Sequence, residues 1–323
     1  MSGIDRELRQ QGIGASEMAA LWGLHPYVTR YTLQMRKKHP AAFETPETDW
    51  QAIGHILEEP CLQIYSLLTK RRARYLNVTQ RHPKYPVVGS PDGLCEDEPR
   101  GVELKVYADE SRRFFGPHQN ELPDFMKVQC HVYMAMLDIP VWDVFVLLAG
   151  RPQIYTVWRD RELEDAMIEQ ASEFWCRYIE GDEELPIDDP DAAERYLQWR
   201  YPTHARPDLR IATTEEMAIL DELAEVRRQA GTLIARRKIL ELEIKGAIKE
   251  KEGLTFAGGK FTWRRTKDSQ ETNWESLGLG LLNAHIPDAE KREAIIDFYT
   301  RTKPGARRIY FKHKNLKEEE DDE

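Results

Sequence analysis

Cysteine is scarce in this chain. Cys61, Cys95, Cys130 and Cys176 are spread over 323 positions, and no two of them form a CxxC pair. That spacing excludes a disulfide framework and a cysteine-ligated zinc cluster. An iron–sulfur centre is set aside as well, since it needs four thiolates with a tightly spaced group among them. Long apolar runs are also lacking. The segment 144–149 (VFVLLA) is among the longest, far short of the roughly 20 residues a membrane-spanning helix needs. The opening stretch MSGIDRELRQ is polar and has no signal-peptide pattern. A soluble, intracellular protein with no membrane partner is the expectation. No repeat of solenoid period stands out.

An excess of positive charge is missing too: 46 basic residues face 56 acidic ones, a net charge of −10. The average conceals where the charge lies. Residues 160–194 hold 14 acidic and 2 basic side chains, so that stretch carries −12 and the remainder +2. Basic residues cluster at Arg36-Lys37-Lys38, at Lys70-Arg71-Arg72 with Arg74, and through 260–317. Phosphate binding depends on a local basic surface, so a nucleic-acid partner remains open. Each basic run, taken alone, also fits a solvated helix face.

The chain does have enough apolar residues, 41%, for a folded core in one large domain or two ordinary ones. Residues 1–40 read as helix, turn, helix, with Ser16 as an N-cap. Ile53, Leu57, Cys61, Ile64 and Leu68 keep helical spacing over about 50–69, and Glu58 opens a flanking face. Strands follow at about 85–90 and 101–107. In the second, period two puts Val102, Leu104 and Val106 on one face and Glu103 and Lys105 on the other. A helix at about 121–137 shows the stripe Phe125, Val128, Val132, Met136. Strands at 141–148 and 153–158 flank a Gly-Arg-Pro turn, and a helix over 161–180 buries Leu163, Met167, Phe174 and Tyr178. This order suits an α/β fold, a mixed sheet covered by helices.

Pro186, Pro190, Pro202 and Pro207 mark 181–210 as a linker. It divides a domain at 1–205 from a C-terminal extension at 206–317. Thr213 and Glu216 have capping-box spacing. Leu223, Val226, Ala230, Leu233, Leu240, Ile244 and Ala247 then predict a long amphipathic helix or a helical hairpin, with Gly253 as its stop. A β-hairpin around Gly258-Gly259 and a small α/β region complete the extension. The tail 318–323 is acidic and is expected to be disordered.

The chemistry concentrates in Ser90-Pro91-Asp92-Gly93-Leu94 and Glu103-Leu104-Lys105. Two carboxylates on adjacent strands can share a hard cation, and the Leu104 carbonyl between them adds an oxygen. Lys105 projects beside Glu103, where an ammonium can orient water or offset charge growing on a phosphoryl group. Glu58 can add a third carboxylate. Such a site hydrolyses phosphodiesters without a covalent intermediate. An E-x-K pair alone is also a solvated salt bridge, and S-P-D-G alone is also a turn. Together on neighbouring strands they point to a metal-dependent hydrolase.

Five motifs in order resemble the PD-(D/E)xK nuclease superfamily and, within it, the YqaJ-type, phage-lambda-like alkaline exonucleases. They are Gly12-Ile13-Gly14-Ala15-Ser16-Glu17, Gly54-His55-Ile56-Leu57-Glu58, Ser90-Pro91-Asp92-Gly93-Leu94, Glu103-Leu104-Lys105, and 123–134 with Gln129 and Tyr133. The resemblance covers about residues 5–180. It implies a restriction-endonuclease-like mixed central sheet flanked by helices. It implies Mg²⁺, or Mn²⁺, with two ions per site held by Asp92, Glu103, the Leu104 carbonyl and Glu58, and Lys105 as the catalytic lysine. Gln129 joins the catalytic set, and Arg9, Ser16, Ser90 and Gln129 match a 5′-phosphate pocket. His131 stands where many relatives carry a second Gln, and His82 where phage-lambda-like members carry an acid.

The implied activity is 5′-to-3′ digestion of one strand of linear double-stranded DNA to mononucleotides. The 3′ overhangs left behind serve recombination beside a single-strand annealing protein. The implied assembly is a homotrimeric ring, in the cytoplasm of a bacterial or phage-infected cell. Arg36, Lys37, Lys38, Arg72 and Arg74 would line its channel, with 160–194 away from DNA. Trp263, Arg264 and Arg265, near Phe261 and Lys267, would grip DNA, although a small core with a basic face fits that hairpin equally. The alternative activity is an end-independent endonuclease or repair nuclease on the same fold.

Overall fold

The computed structural model describes residues 5–76, 78–108, 115–116, 121–203, 209–265 and 273–300. The chain divides into two compact units, Met1–Pro202 and Thr203–Glu323.

The first unit begins with α1 (Arg6–Arg9), β1 (Ile13–Gly14), a 3-10 turn at Met18–Trp22 and α2 (Arg30–Lys38). The long α3 (Asp49–Thr69) follows, started by a Thr48–Gln51 capping box. Next come β2 (Ala73–Tyr75), β3 (Gln80–Arg81), β4 (Val87–Gly89), β5 (Gly93–Cys95) and β6 (Arg100–Tyr107). Then come α4 (Asp124–Leu137), β7 (Val141–Leu148), β8 (Arg151–Trp158), α5 (Arg161–Phe174) and α6 (Pro190–Arg200).

The main sheet has the order β2-β5-β6-β7-β8, and a small second sheet has the order β1-β4-β3. β6 pairs antiparallel with β5 and parallel with β7, in register from Arg100↔Val141 to Tyr107↔Leu148. A parallel pair needs a crossover, which α4 supplies. This is the mixed sheet flanked by helices that the sequence implied. Alternation along β6 does the sorting. Val102 and Leu104 pack with Phe145 under Cys61, Leu62 and Tyr65 of α3. On the other face α4 packs Met126, Cys130 and Tyr133 against Trp142, Val144 and Val146. Burying each large apolar side chain stabilises the fold by about 1.5–3 kcal/mol. Gly101 is required here: a Cβ would lie 2.2 Å from the Trp142 ring, which rests on β6.

Several details depart from the sequence reading. The strand expected at 85–90 is β4, which belongs to the small sheet. The strand beside β6 is β5, three residues long and thus too short to show alternation. The β7–β8 turn is Ala149-Gly150, with φ of 47° and 78°. Two left-handed residues closing the Leu148↔Arg151 pair make a hairpin loop of the primed type. Arg151 and Pro152 belong to β8, an edge strand that tolerates proline. Ser16 does not cap a helix; Glu17 precedes the 3-10 turn and accepts the Gly14 N–H at 2.8 Å. The N-terminal region is therefore two helices separated by a strand and a 3-10 turn. The expected linker contains α6, with Pro190 in its first turn and Asp189 as its cap. The helix over 161–180 leaves α geometry after Phe174 for a π turn, Trp175–Glu180, and Leu163 is exposed. α4 is buried on more than one stripe because it lies between the sheet and neighbouring helices.

The second unit contains α7 (Thr214–Ile248), one continuous helix rather than a helical hairpin, started by the Thr213–Glu216 capping box. It ends before Gly253, which opens β9 (Gly253–Phe256). β9 pairs with β10 (Gly259–Thr262) around an Ala257-Gly258 turn. α8 (Trp274–His285) and α9 (Ala289–Tyr299) follow. Lys267 and the tail 318–323 lie outside the described residues. All four cysteines are free thiols.

Candidate active site

The end of β5 and the middle of β6 bring the two acids together. Asp92, just before β5, accepts the Leu104 N–H with Oδ2 at 2.7 Å. The N–H and C=O of one strand residue point to the same edge, so the Leu104 carbonyl faces this side, past the last β5 pair at Val102. Glu103 is 2% exposed. Its Oε1 accepts from the Lys105 ammonium and from Gln129 Nε2 at 2.7 Å. Its Oε2 is buried with no hydrogen-bond partner. A buried carboxylate oxygen left bare is costly.

The electrostatics follow from that crowding. Burial, then the charge of Glu103, pushes the Asp92 carboxyl well above the usual carboxylate range, against the pull of Lys105 and the Leu104 N–H. Burial disfavours the Lys105 ammonium, but Glu103 and Asp92 outweigh it and hold that proton more tightly than usual. Glu58 on α3 accepts the Tyr75 hydroxyl, and its charge is felt at both Tyr75 and Asp92.

A hard divalent cation fits this donor set. Asp92, the bare Glu103 Oε2 and the Leu104 carbonyl are all oxygen donors, and Mg²⁺ binds one or two carboxylates while keeping several waters. Among the described residues, no group of three or more His, Cys, Asp or Glu side chains is placed to hold a metal ion, so Glu58 does not join Asp92 and Glu103 as a direct ligand in this structure. Glu58 stands behind Tyr75 as an outer acid.

Ser16 and Gln129 line a cleft of about 220 Å³ together with Lys105. Gln129 also donates to the Tyr133 hydroxyl at 3.1 Å, which donates to the Ser90 carbonyl at 3.2 Å. The Ser90 hydroxyl shares a hydrogen bond with Thr79 Oγ1 at 2.8 Å. The structure thus links Ser90, Tyr133, Gln129 and Glu103 in one chain of contacts. Gly89 permits it, since a Cβ there would meet Tyr133 at 2.6 Å. Arg9 is half-buried, and its charge acts on Glu17, beside the Ser16 loop.

Residues 6–139 match the family model of the YqaJ-like viral recombinase domain. This segment is similar to that family. The chain is similar to the YqaJ protein of Bacillus subtilis strain 168, itself uncharacterized, at 24% identity over 76% of this chain and 77% of that protein. It is also similar to the crystal structure of an alkaline exonuclease from Laribacter hongkongensis, with 16% identity and a TM-score of 0.42, covering 61% of this chain and 97% of that one. A phage-related exonuclease from Haemophilus somnus 129PT is a further similar structure, with 13% identity and a TM-score of 0.42, covering 52% and 95% of the two chains.

Outside these contacts, the first unit departs from several expectations. Lys37 is no channel-lining charge: its side chain is 3% exposed, pairs with Glu17 at 2.7 Å and donates to the Arg9 carbonyl at 3.0 Å. Lys38 donates to the Gly181 carbonyl at 3.1 Å. Lys37 is taken up by Glu17, and Lys38 by the acidic 160–194 segment, which docks on α2. Thr29 donates to Asp188 at 2.6 Å, and Gln34 donates to the Glu183 carbonyl at 2.7 Å. Arg36 is half-buried and its charge acts on Asp189 of that segment. Arg72 and Arg74 are exposed at β2. His131 turns away from the acids, with Nδ1 3.9 Å from Glu164 of α5. His82 Nδ1 accepts the Lys84 and Tyr85 N–H groups, each at 3.2 Å.

In the second unit, Lys245 lies 5.8 Å from the Trp263 ring centre, Arg264 pairs with Glu252 at 3.2 Å, and Arg265 is exposed. No helix among the described residues is long and apolar enough to cross a membrane. Tyr75, Thr79 and Tyr133 are contributors the sequence reading did not assign to the site. Tyr133 stands one helical turn past Gln129, which is a readable signal. Tyr75 and Thr79 reach the site only through tertiary contacts.

Proposed function

We propose that this chain is a Mg²⁺-dependent deoxyribonuclease that digests one strand of linear double-stranded DNA from a 5′-phosphorylated end. It releases 5′-mononucleotides and leaves 3′ overhangs for phage-type recombination. The observation that carries this reading is the bare Oε2 of buried Glu103 beside Asp92 and the Lys105 ammonium. A folded chain has no structural use for two crowded acids and an unpaired oxygen, whereas a cation site does. Asp92, Glu103 and the Leu104 carbonyl hold the ions, two per site, with Glu58 on the outer side; Mn²⁺ suits the same oxygens. A bound ion supplies Lewis acidity toward the scissile phosphate and its attacking water.

The side chains do the rest. Gln129 fixes the Glu103 carboxylate. The Lys105 ammonium orients the water and offsets charge growing on the phosphoryl oxygens. Arg9, Ser16 and Ser90 receive the terminal 5′ phosphate, since a guanidinium fork and two hydroxyls can donate to its oxygens; Gln129 joins them only by giving up its hydrogen bond to Tyr133. The family match adds support for a recombination role. A homotrimeric ring, a single-strand annealing partner and a cytoplasmic setting belong to the same proposal.

End-labelled linear duplexes with and without a 5′ phosphate, plus a circular control, test it in Mg²⁺. The 5′-phosphorylated linear DNA is degraded fastest, from the 5′ end, and the circle survives. Cutting of the circle establishes the endonuclease alternative instead.

A further inference from the structure

The long helix α7 carries a pattern that DNA hydrolysis does not use. Ile219, Val226, Leu233, Leu240 and Ala247 recur at every seventh position. Leu223, Ala230, Arg237 and Ile244 fall between them, so the steps along 219–247 alternate four and three without a break. These are the d and a positions of a coiled-coil heptad, and the seam they form is apolar except at Arg237. Gly231 and Gly246 fall at b and c, outside the seam. The seam is open. Leu233 is 69% and Ile219 66% exposed, and Val226 and Leu240 are exposed as well. The buried residues of α7 are Ala224 and Ile248, at b and e, so the side that is covered is not the side of the seam. An apolar stripe running along a helix about 52 Å long marks an interaction surface.

We propose that α7 pairs with α7 of a second copy of this chain in a parallel, in-register, two-stranded coiled coil. The flanking charges select that occupant. In a parallel pair, a g residue of one helix meets the following e residue of the other. Glu222 then faces the second copy's Arg227, and Arg236 faces the second copy's Glu241, so both fully charged pairs are of opposite sign. The remaining two pairs, Gln229 with Ile234 and Glu243 with Ile248, bring no like charges together. With the helices antiparallel and fully overlapped, Glu222 instead meets the second copy's Glu243, like against like. Arg237 decides the number of strands. It pairs along its own helix with Glu241 at 3.5 Å, which draws the guanidinium toward the edge of the seam. Two strands leave that edge in water, where a long basic side chain can place its charge. A single polar residue at a also fixes the register, at a cost in stability.

The test reads the mass of the full chain by sedimentation at one fixed concentration. Val226→Glu with Leu233→Glu puts charge into the seam, and the particle falls to half the wild-type mass. The contact is additional to the ring proposed for the first unit, so the halving is expected whether or not that ring forms. Glu222→Lys with Arg236→Glu makes both flanking pairs like-charged, and Arg227→Glu with Glu241→Lys does the same. Each of these chains alone has half the wild-type mass. Mixed in equal amounts they recover it, because every flanking pair in the mixed coil is of opposite sign; a misfolded chain could not be rescued in this way. Leu240→Cys under mild oxidation cross-links to a second copy, as a parallel, in-register seam requires, and the wild-type chain with its own four thiols is the control. A wild-type chain no heavier than the seam variant leaves α7 to a different protein and overturns the pairing. Charge-swapped chains that stay apart on mixing overturn it as well, and so does a Leu240→Cys chain that cross-links no more than the wild type.

Discussion

Two acids are buried on neighbouring strands of the same sheet, and they have opposite surroundings. Asp143 on β7 faces α3. It accepts from Tyr65 at 2.7 Å, from Arg100 at 2.7 Å and from Thr156 at 2.7 Å, so both its oxygens are used. Glu103 on β6 faces α4. One of its oxygens is shared by Lys105 and Gln129 and the other has no partner, with the second acid, Asp92, close by. A buried charge whose every lone pair is answered holds a fold together. One that is crowded and half-answered is kept for something that arrives later.

The largest effect should come from the satisfied acid. Asp143→Ala removes the buried carboxylate from Arg100, which keeps only the more exposed Glu98, and strips the Tyr65 and Thr156 hydroxyls of their acceptor, a loss of about 3–5 kcal/mol. Urea unfolding reads this directly, and an unchanged midpoint would remove the contrast. Lys105→Ala acts on the other acid. Cleavage should slow on the order of 10²-fold or more, about 3 kcal/mol in barrier, with thermal stability close to that of the wild-type chain. A variant that cuts at full rate would refute the assigned role of the ammonium.

Glu17 is a paired acid of a third kind, answered through Oε2 alone by Lys37 and the Gly14 N–H. Burial opposes its charged form, but Lys37 by charge and hydrogen bond, the Gly14 N–H and Arg9 prevail and hold its carboxyl below the usual range. A lowered acid contributes stability above its unfolded pKa of about 4.3 and loses it as pH falls through the folded value. Glu17→Gln should therefore cost about 1–2 kcal/mol at neutral pH and flatten the acid limb of the stability curve. An acid limb identical to that of the wild-type chain would mean that this pairing carries no stability. The smallest effect has the opposite sign. In metal-free buffer Asp92→Asn relieves the repulsion with Glu103 and keeps an acceptor for the Leu104 N–H. Stability should rise on the order of 1 kcal/mol, while cleavage assayed separately in Mg²⁺ disappears. A fall in stability would mean that the crowding carries no cost.

The parts of this site that the sequence announced are those governed by local rules. Alternation over 101–107 put Glu103 and Lys105 on a different face from Val102 and Leu104, and β6 keeps that sorting. Helical spacing located α3 and, within it, Glu58. What escaped depends on distant contacts. β5 has three residues and no periodic signal, so Asp92 could be assigned to the wrong sheet. Lys37 looked like part of a basic run, because nothing near it in the chain announces that Glu17 will bury it. Pro190 resembled linker punctuation, though proline equally suits the first turn of a helix such as α6. The Tyr133–Ser90 contact spans 43 positions and has no local trace.

The parallel pairing of β6 with β7 has a kinetic consequence. The two strands can meet only after the chain between them has looped back, and α4, which carries Gln129, lies within that loop. Glu103 and Gln129 are 26 residues apart and join across the same closure. Non-local pairing of this kind is slow. During refolding, the capacity to cut DNA should return in step with the final cooperative phase, behind the rapid recovery of helical signal.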